Sequence, residues 1–222
     1  MQQVEIVPSL LSADFTILAE EIKKIEKAGC NRIQLDVMDG KFVPYITFGP
    51  VVIQWMRKRT NLFLEVHLMI EHPERYLKSF KDAGADCIIV HQEACREVKN
   101  TIHDIHSMGI EAGIALKPKT SVHTIRDVVK DVALILIMTA EPGCGRQRMI
   151  AGIDKKIVET KNMLDTQGLD IPIEVEGGIN TKTAPIVVHA GATFLVAGSS
   201  VFGKGDALAH IKALYKSIGV QK

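Results

Sequence analysis

Nothing in this sequence speaks for a membrane, a nucleic acid or a disulfide framework. No apolar run approaches the ~18 residues of a membrane span. The formal net charge of +1 leaves no electrostatic footprint for nucleic acid. The opening residues, from Met1 to Pro8, lack the basic start and apolar stretch of a signal peptide, so a cytoplasmic location is expected. The four cysteines, Cys30, Cys87, Cys95 and Cys144, contain no Cys-x-x-Cys pair. They read as reduced thiols, with Cys30 and Cys87 as small core residues. Low-complexity tracts and linkers are missing, and with them any domain boundary.

What remains is ordinary globular material. Hydrophobic residues make up 46% of the chain and charged ones 24%, enough for one sizeable core. Short β-branched runs alternate eight times with amphipathic stretches. The runs are Ile6–Leu10, the stretch 32–38, Leu62–Ile70, Cys87–His91, Ala112–Leu116, Ala133–Met138, Ile173–Glu176 and Phe194–Ala197. Between them fall predicted helices, among them one opened by Asp14 that buries Leu18, Ile22 and Ile25. Another starts at Pro73, and a third runs from Pro118 through Val129. Ala28-Gly29, Ala83-Gly84 and Ala190-Gly191 each close a helix just before a strand. Eight βα units with strands too apolar to face water predict a single (β/α)8 barrel domain over residues 1–222. An open doubly wound sheet ranks second, because no Gly-x-Gly-x-x-Gly follows the first strand.

The stretch 32–40, Arg-Ile-Gln-Leu-Asp-Val-Met-Asp-Gly, locates the chemistry. Ile33, Leu35 and Val37 alternate with Gln34, Asp36 and Met38, so one face is apolar and the other carries polar groups inward. Asp36 then lies near the carboxyl end of a parallel strand, where barrels place their active sites. His67 ends the third strand, with Glu65 two residues deeper. His91 and Glu93 end the fourth, and Glu174 and Glu176 lie in phase on the seventh. A barrel brings these ends to one rim, so Asp36, His67 and Glu176 are expected to converge.

That set suits a divalent metal such as zinc, manganese or iron, with Gln34 adding an amide oxygen. It suits acid/base work equally, since two carboxylates on opposite sides of a carbon can remove a proton and return one. Interior polar residues also occur simply as satisfied structural groups, and Glu65, Glu93 and Glu174 are expected to be such. Three groups at one rim are costly to bury for structure alone, which favours function for Asp36, His67 and Glu176. The loops Pro142-Gly143-Cys144-Gly145-Arg146, Gly177-Gly178 and Gly198-Ser199-Ser200 follow strands six, seven and eight. Their backbone N–H groups suit a phosphate there. His103, His106 and the basic run 56–59 read as solvated helix surface.

Pro8-Ser9-Leu10-Leu11-Ser12-Ala13-Asp14-Phe15, Asp36-Val37-Met38-Asp39-Gly40, Phe42-Val43-Pro44 and Val66-His67-Leu68-Met69, with the glycine loops, resemble the ribulose-phosphate 3-epimerase family from Pro8 to about Phe202. The resemblance implies a TIM barrel that inverts one carbinol carbon of a phosphorylated ketose. It implies two acid/base carboxylates, Asp36 and Glu176, one of them largely protonated. These hold one divalent metal ion together with His67 and the residue at Gln34. It places Ser9 and His67 near the substrate, Met38 and Met69 as apolar walls, and Gly143, Gly145, Gly177, Gly178, Gly198 and Ser199 at the phosphate. Met138, at the end of strand six, joins the substrate-binding set. The partners expected are a phosphorylated ketose and further copies of the chain, with neither nucleic acid nor membrane.

Four positions depart from the family pattern. Gln34 stands for a metal histidine, Glu176 for an aspartate, Tyr45 for an asparagine, and Cys144-Gly145-Arg146 for Phe-Gly-Gly. An amide oxygen is a harder donor than imidazole and shifts the choice among zinc, manganese, iron and magnesium away from zinc. Arg146 adds a charged partner for a phosphate. The leading substrate is ribulose 5-phosphate, followed by allulose 6-phosphate or another ketose phosphate. A non-catalytic phosphosugar-binding homologue is the alternative that Gln34 and Glu176 favour. A phosphosugar decarboxylase or synthase is disfavoured, because Asp36-Val37-Met38-Asp39 lacks the lysine of an Asp-x-Lys-x-x-Asp strand.

Overall fold

The computed structural model of the chain describes residues 4–143 and 147–220. Eight strands, β1 (Glu5–Pro8), β2 (Arg32–Met38), β3 (Phe63–Met69), β4 (Cys87–His91), β5 (Glu111–Leu116), β6 (Leu134–Met138), β7 (Ile173–Glu176) and β8 (Phe194–Ala197), form one sheet in the order β1-β8-β7-β6-β5-β4-β3-β2. Every pairing is parallel. An isolated parallel bridge between Ser9 and Gln34 draws β1 and β2 together, so the sheet curls into a nearly closed (β/α)8 barrel. Two residues of the expected site therefore stand at its seam.

The helices α1 (Leu18–Lys27), α2 (Pro50–Arg57), α3 (Leu77–Asp82), α4 (Val98–Ser107), α5 (Asp154–Gln167), α6 (Ala184–His189) and α7 (Ala207–Ser217) cross over between strands. Their apolar faces meet the outward face of the barrel: Ile22 and Ile25 of α1 and Ile33, Leu35 and Val37 of β2 share one core. The inward face fills separately, with Cys87, Ile89, Ala115, Leu134, Leu136 and Met138 in one cluster and Met38, Val43 and Met69 in another. Cys30 and Cys87 are buried, as their positions before strands suggest. Among the described residues no helix is long and apolar enough to cross a membrane.

Local chemistry accounts for the departures from the expected elements. β1 stops at Pro8 rather than Leu10, because the Ser9 hydroxyl accepts from the Leu11 N–H and turns the chain into a short 3-10 segment, Leu10–Ser12. Asp14 caps another such segment, Phe15–Ile17, before α1 begins, and Leu18 is only half-buried. The helix expected over Pro118–Val129 does not form. Two 3-10 turns, Val122–Ile125 and Val129–Asp131, replace it. That stretch is dense in β-branched residues, and Ser121 takes the His123 N–H on its side chain, so burial of Val122, Ile125 and Val129 proceeds without a helix.

Candidate active site

The parallel register sets Asp36 beside His67, and Met138 beside Glu176, all at the carboxyl ends of their strands. Asp36 and His67 are fully buried. The His67 Nδ1 lies 3.0 Å from Asp36 Oδ1 and 3.0 Å from Glu176 Oε2. One ligand atom from each of Asp36, His67 and Glu176 falls within 4.8 Å of the others, a set able to hold a metal ion. Four strands lie between Asp36 and Glu176 in the sequence, and the barrel closes that gap.

Gln34 completes the group in an unexpected sense. Its amide nitrogen donates to Asp36 Oδ1 at 2.9 Å and to Glu176 Oε2 at 2.7 Å, bridging the two carboxylates. The amide oxygen is buried without a partner. An amide that rotates by half a turn exchanges the two atoms, so the same side chain can offer Oε1 as a fourth, hard donor. The donor set therefore fits a divalent cation. The extra methylene of Glu176, relative to aspartate, carries its carboxylate into contact with both Gln34 and His67.

Supporting bonds hold the carboxylates in place. The Ser9 hydroxyl donates to Asp36 Oδ2 at 2.6 Å. The Thr47 hydroxyl donates to the Asp36 carbonyl at 2.7 Å, and that of Thr139 to the Glu176 carbonyl at 2.9 Å. Burial and the neighbouring Asp36 charge push the Glu176 carboxyl above its ordinary range. Burial opposes a charged His67, but Glu176 and Asp36 outweigh it and lift its pKa to about 9. His91 lies behind His67 with its pKa driven by burial down to about 4.

A cleft opens over this cluster, lined by Ser9, Asp36, Glu176, Gly177, Gly178, Gly198 and Ser199. Glycine is required where these loops approach their neighbours. A Cβ on Gly198 would meet Ser12 Oγ at 2.6 Å, and Gly177, at φ +119°, would meet the Ala140 nitrogen at 2.6 Å.

The remaining expected site residues distribute unevenly. Met38 and Met69 stack with Val43 beside the mouth, while Met138 belongs to the interior cluster on β4 to β6. Gly143 lines a neighbouring depression with Tyr45, Ile46 and Phe15 rather than the cleft itself. Gly145 and Arg146, with Cys144, lie outside the described residues. Asp39 stays out of the cluster: its carboxylate accepts from the Lys41, Phe42 and Glu71 N–H groups and ties the β2 loop to the end of β3. Sequence reasoning passed over Thr47 and Thr139, and over Ser12 and Gln147, which also line the cleft. Ser12 had a signal, its spacing of three from Ser9 on a tight turn. The two threonines had only their positions just beyond apolar strands.

Fold and site together define a parallel (β/α)8-barrel protein with paired acidic groups and a glycine-lined cleft at its carboxyl rim. Residues 5–202 match the model of the ribulose-phosphate 3 epimerase family, and the chain belongs to that family. A ribulose-phosphate 3-epimerase of Bacillus subtilis is 50% identical over 204 residues, 91% of this chain and 94% of the relative. The chloroplastic ribulose-5-phosphate-3-epimerase of Arabidopsis thaliana is 44% identical over 95% of this chain and 75% of its own length. Among solved structures, orotidine 5'-phosphate decarboxylase from Pyrococcus horikoshii superposes with a TM-score of 0.69 at 15% identity, over 96% of this chain and 99% of the other. That last likeness concerns the fold alone.

Proposed function

We propose that the protein is a ketose-phosphate 3-epimerase that interconverts D-ribulose 5-phosphate and D-xylulose 5-phosphate. The observation that carries this reading is the approach of two carboxylates, from β2 and β7, to the same nitrogen of His67 at 3.0 Å each. Two such groups on opposite faces of one carbon perform an inversion without moving the sugar. Asp36, held by Ser9 and Gln34, is placed to accept the proton from the carbon next to the ketone, which leaves an enediolate. Glu176, whose carboxyl leans to the protonated form, returns a proton on the other face. The reverse reaction exchanges their roles.

Asp36, His67, Glu176 and a rotated Gln34 are the residues that would hold one divalent ion. Such an ion supplies Lewis-acid stabilisation of negative charge on the sugar oxygens. With two carboxylates and a hard amide donor, manganese, iron or magnesium suits the set better than zinc. Gly177, Gly178, Gly198 and Ser199 are read as the phosphate grip, with Ser9, Met38, Met69 and Met138 around the carbon chain. The reading extends to a single barrel domain, a cytoplasmic location and a homo-oligomer. Exposed Ile46, Val51 and Trp55 support the last.

The test is a panel of pentulose and hexulose phosphates assayed after chelation, with zinc, manganese, iron and magnesium added in turn. Fastest epimerisation of ribulose 5-phosphate is expected. Faster turnover of allulose 6-phosphate would move the substrate, and inversion of no ketose phosphate would leave a phosphosugar-binding protein.

A further inference from the structure

Behind the cluster runs a line of side chains that the proton transfers do not use. His67 Nε2 lies 2.9 Å from His91 Nε2, and His91 Nδ1 lies 3.2 Å from Glu93 Oε2. The two imidazoles meet edge to edge, with centroids 5.0 Å apart and planes at 29°, and the Phe42 ring lies 4.9 Å from His91. Both histidines are fully buried. The other Glu93 oxygen, Oε1, accepts the Lys117 N–H at 2.8 Å and the Thr120 hydroxyl.

With both imidazoles neutral, one arrangement of hydrogens satisfies this line. A carboxylate accepts and cannot donate, so the hydrogen between Glu93 and His91 sits on His91 Nδ1. A neutral imidazole carries one hydrogen, so with Nδ1 occupied the His91 Nε2 is a bare lone pair. Across 2.9 Å two N–H groups cannot face each other, so His67 Nε2 carries the hydrogen and donates. His67 Nδ1 is then the atom left facing Asp36 and Glu176, where it either carries a proton or gives its lone pair to a cation.

We propose that Glu93 is a positioning residue which, acting through His91, fixes the hydrogen of His67 on Nε2 and thereby presents Nδ1 to the two carboxylates. The inference rests on reading Asp36, His67 and Glu176 as the working site. Glu93 is suited to this because it is an acceptor that cannot be reversed. A glutamine in its place can be. The Lys117 N–H is an obligate donor and would hold the amide oxygen, so the amide NH2 would turn to His91 Nδ1. His91 would then move its hydrogen to Nε2, His67 Nε2 would become the acceptor, and Nδ1 would be protonated and lost as a ligand. Orienting partners behind a metal histidine are worth roughly 10–100-fold in metal affinity.

The experiment has two readouts on the whole protein. Nitrogen-15 NMR of the imidazoles reports which nitrogen of His91 bears hydrogen in the metal-free state. Calorimetric titration with manganese and zinc reports affinity. Wild type is expected to show His91 protonated on Nδ1 alone. Glu93→Gln is expected to show it on Nε2, with affinity for the ion lowered about 10–100-fold. Glu93→Asp, which keeps the acceptor, is expected to retain the wild-type hydrogen pattern. Wild-type His91 protonated on Nε2 would overturn the proposal, and that spectrum decides even if the glutamine variant fails to fold. So would a Glu93→Gln protein that binds the ion as tightly as wild type. A wild type that binds neither ion but shows the expected His91 hydrogen would uphold the chain of bonds and overturn the metal reading instead.

Discussion

The barrel interior holds two acidic groups built on the same strands, and they differ in what neutralises them. At the mouth stand Asp36, His67 and Glu176. Two residues earlier on β3 and β7 stand Glu65 and Glu174, both fully buried. The deeper pair meets Arg32, whose guanidinium bonds Glu65, lies 3.6 Å from Glu5 and is sandwiched between the Phe63 and Phe194 rings at 4.9 and 4.2 Å. Burial and the Glu65 charge push the Glu174 carboxyl well above its ordinary range. The base thus carries its own cation and is closed. The mouth has carboxylates, a histidine and an amide that can turn, with a cleft above them. Acidic residues in a barrel become a site where the compensating charge is left to be supplied.

Removing one carboxylate from the mouth gives the largest separation between the two regions. Glu176→Gln is expected to lower turnover by about 10²–10⁴-fold while the thermal midpoint moves little, checked by an epimerisation assay beside a melting curve. Loss of fold with loss of activity would erase the distinction. At the base the effect should fall on stability. Arg32→Met strips the cation from buried Glu65 and should cost about 3–5 kcal/mol, or on the order of 10 °C in melting temperature.

A third effect lies between the regions and depends on pH. Burial works to raise the Glu93 pKa, but bonds from His91 and Thr120 outweigh it and hold it down at about 2, against an ordinary 4.5. A depressed carboxylate contributes stability above its unfolded pKa and loses it as pH falls through the folded one. Denaturant unfolding should therefore lose stability as pH falls from 5 to 2, a loss that solvent screening of the partly exposed carboxylate reduces and that Glu93→Gln should flatten. The smallest effect is expected for Ser9→Ala, which removes one bond to Asp36. It should cost about 1.5–3 kcal/mol, seen mainly as slower turnover rather than a shifted melt.

The contrast also explains how much could be read before the coordinates. Period-two alternation in Ile33–Met38 assigned the faces of β2 correctly, because a strand with helices outside leaves no other way to bury Ile33, Leu35 and Val37. Convergence of Asp36, His67 and Glu176 followed from phase and strand ends alone. Hydrogen-bond direction did not. Whether Gln34 offers oxygen or nitrogen depends on two carboxylates from different strands, and the line from His67 to Glu93 depends on Thr120 and Lys117, more than twenty residues on. Gly143 left the cleft because it lies against Val43, a contact that no local pattern announces. The helix expected at Pro118–Val129 failed where β-branched residues could be buried from turns just as well.

The most direct test of two opposed carboxylates is to run the reaction in deuterium oxide and examine the recovered sugar by mass spectrometry. If Asp36 and Glu176 exchange their protons with solvent between taking one and giving another, each xylulose 5-phosphate formed should carry one deuterium at the inverted carbon. Rapid conversion into xylulose 5-phosphate with no deuterium at that carbon would contradict the scheme.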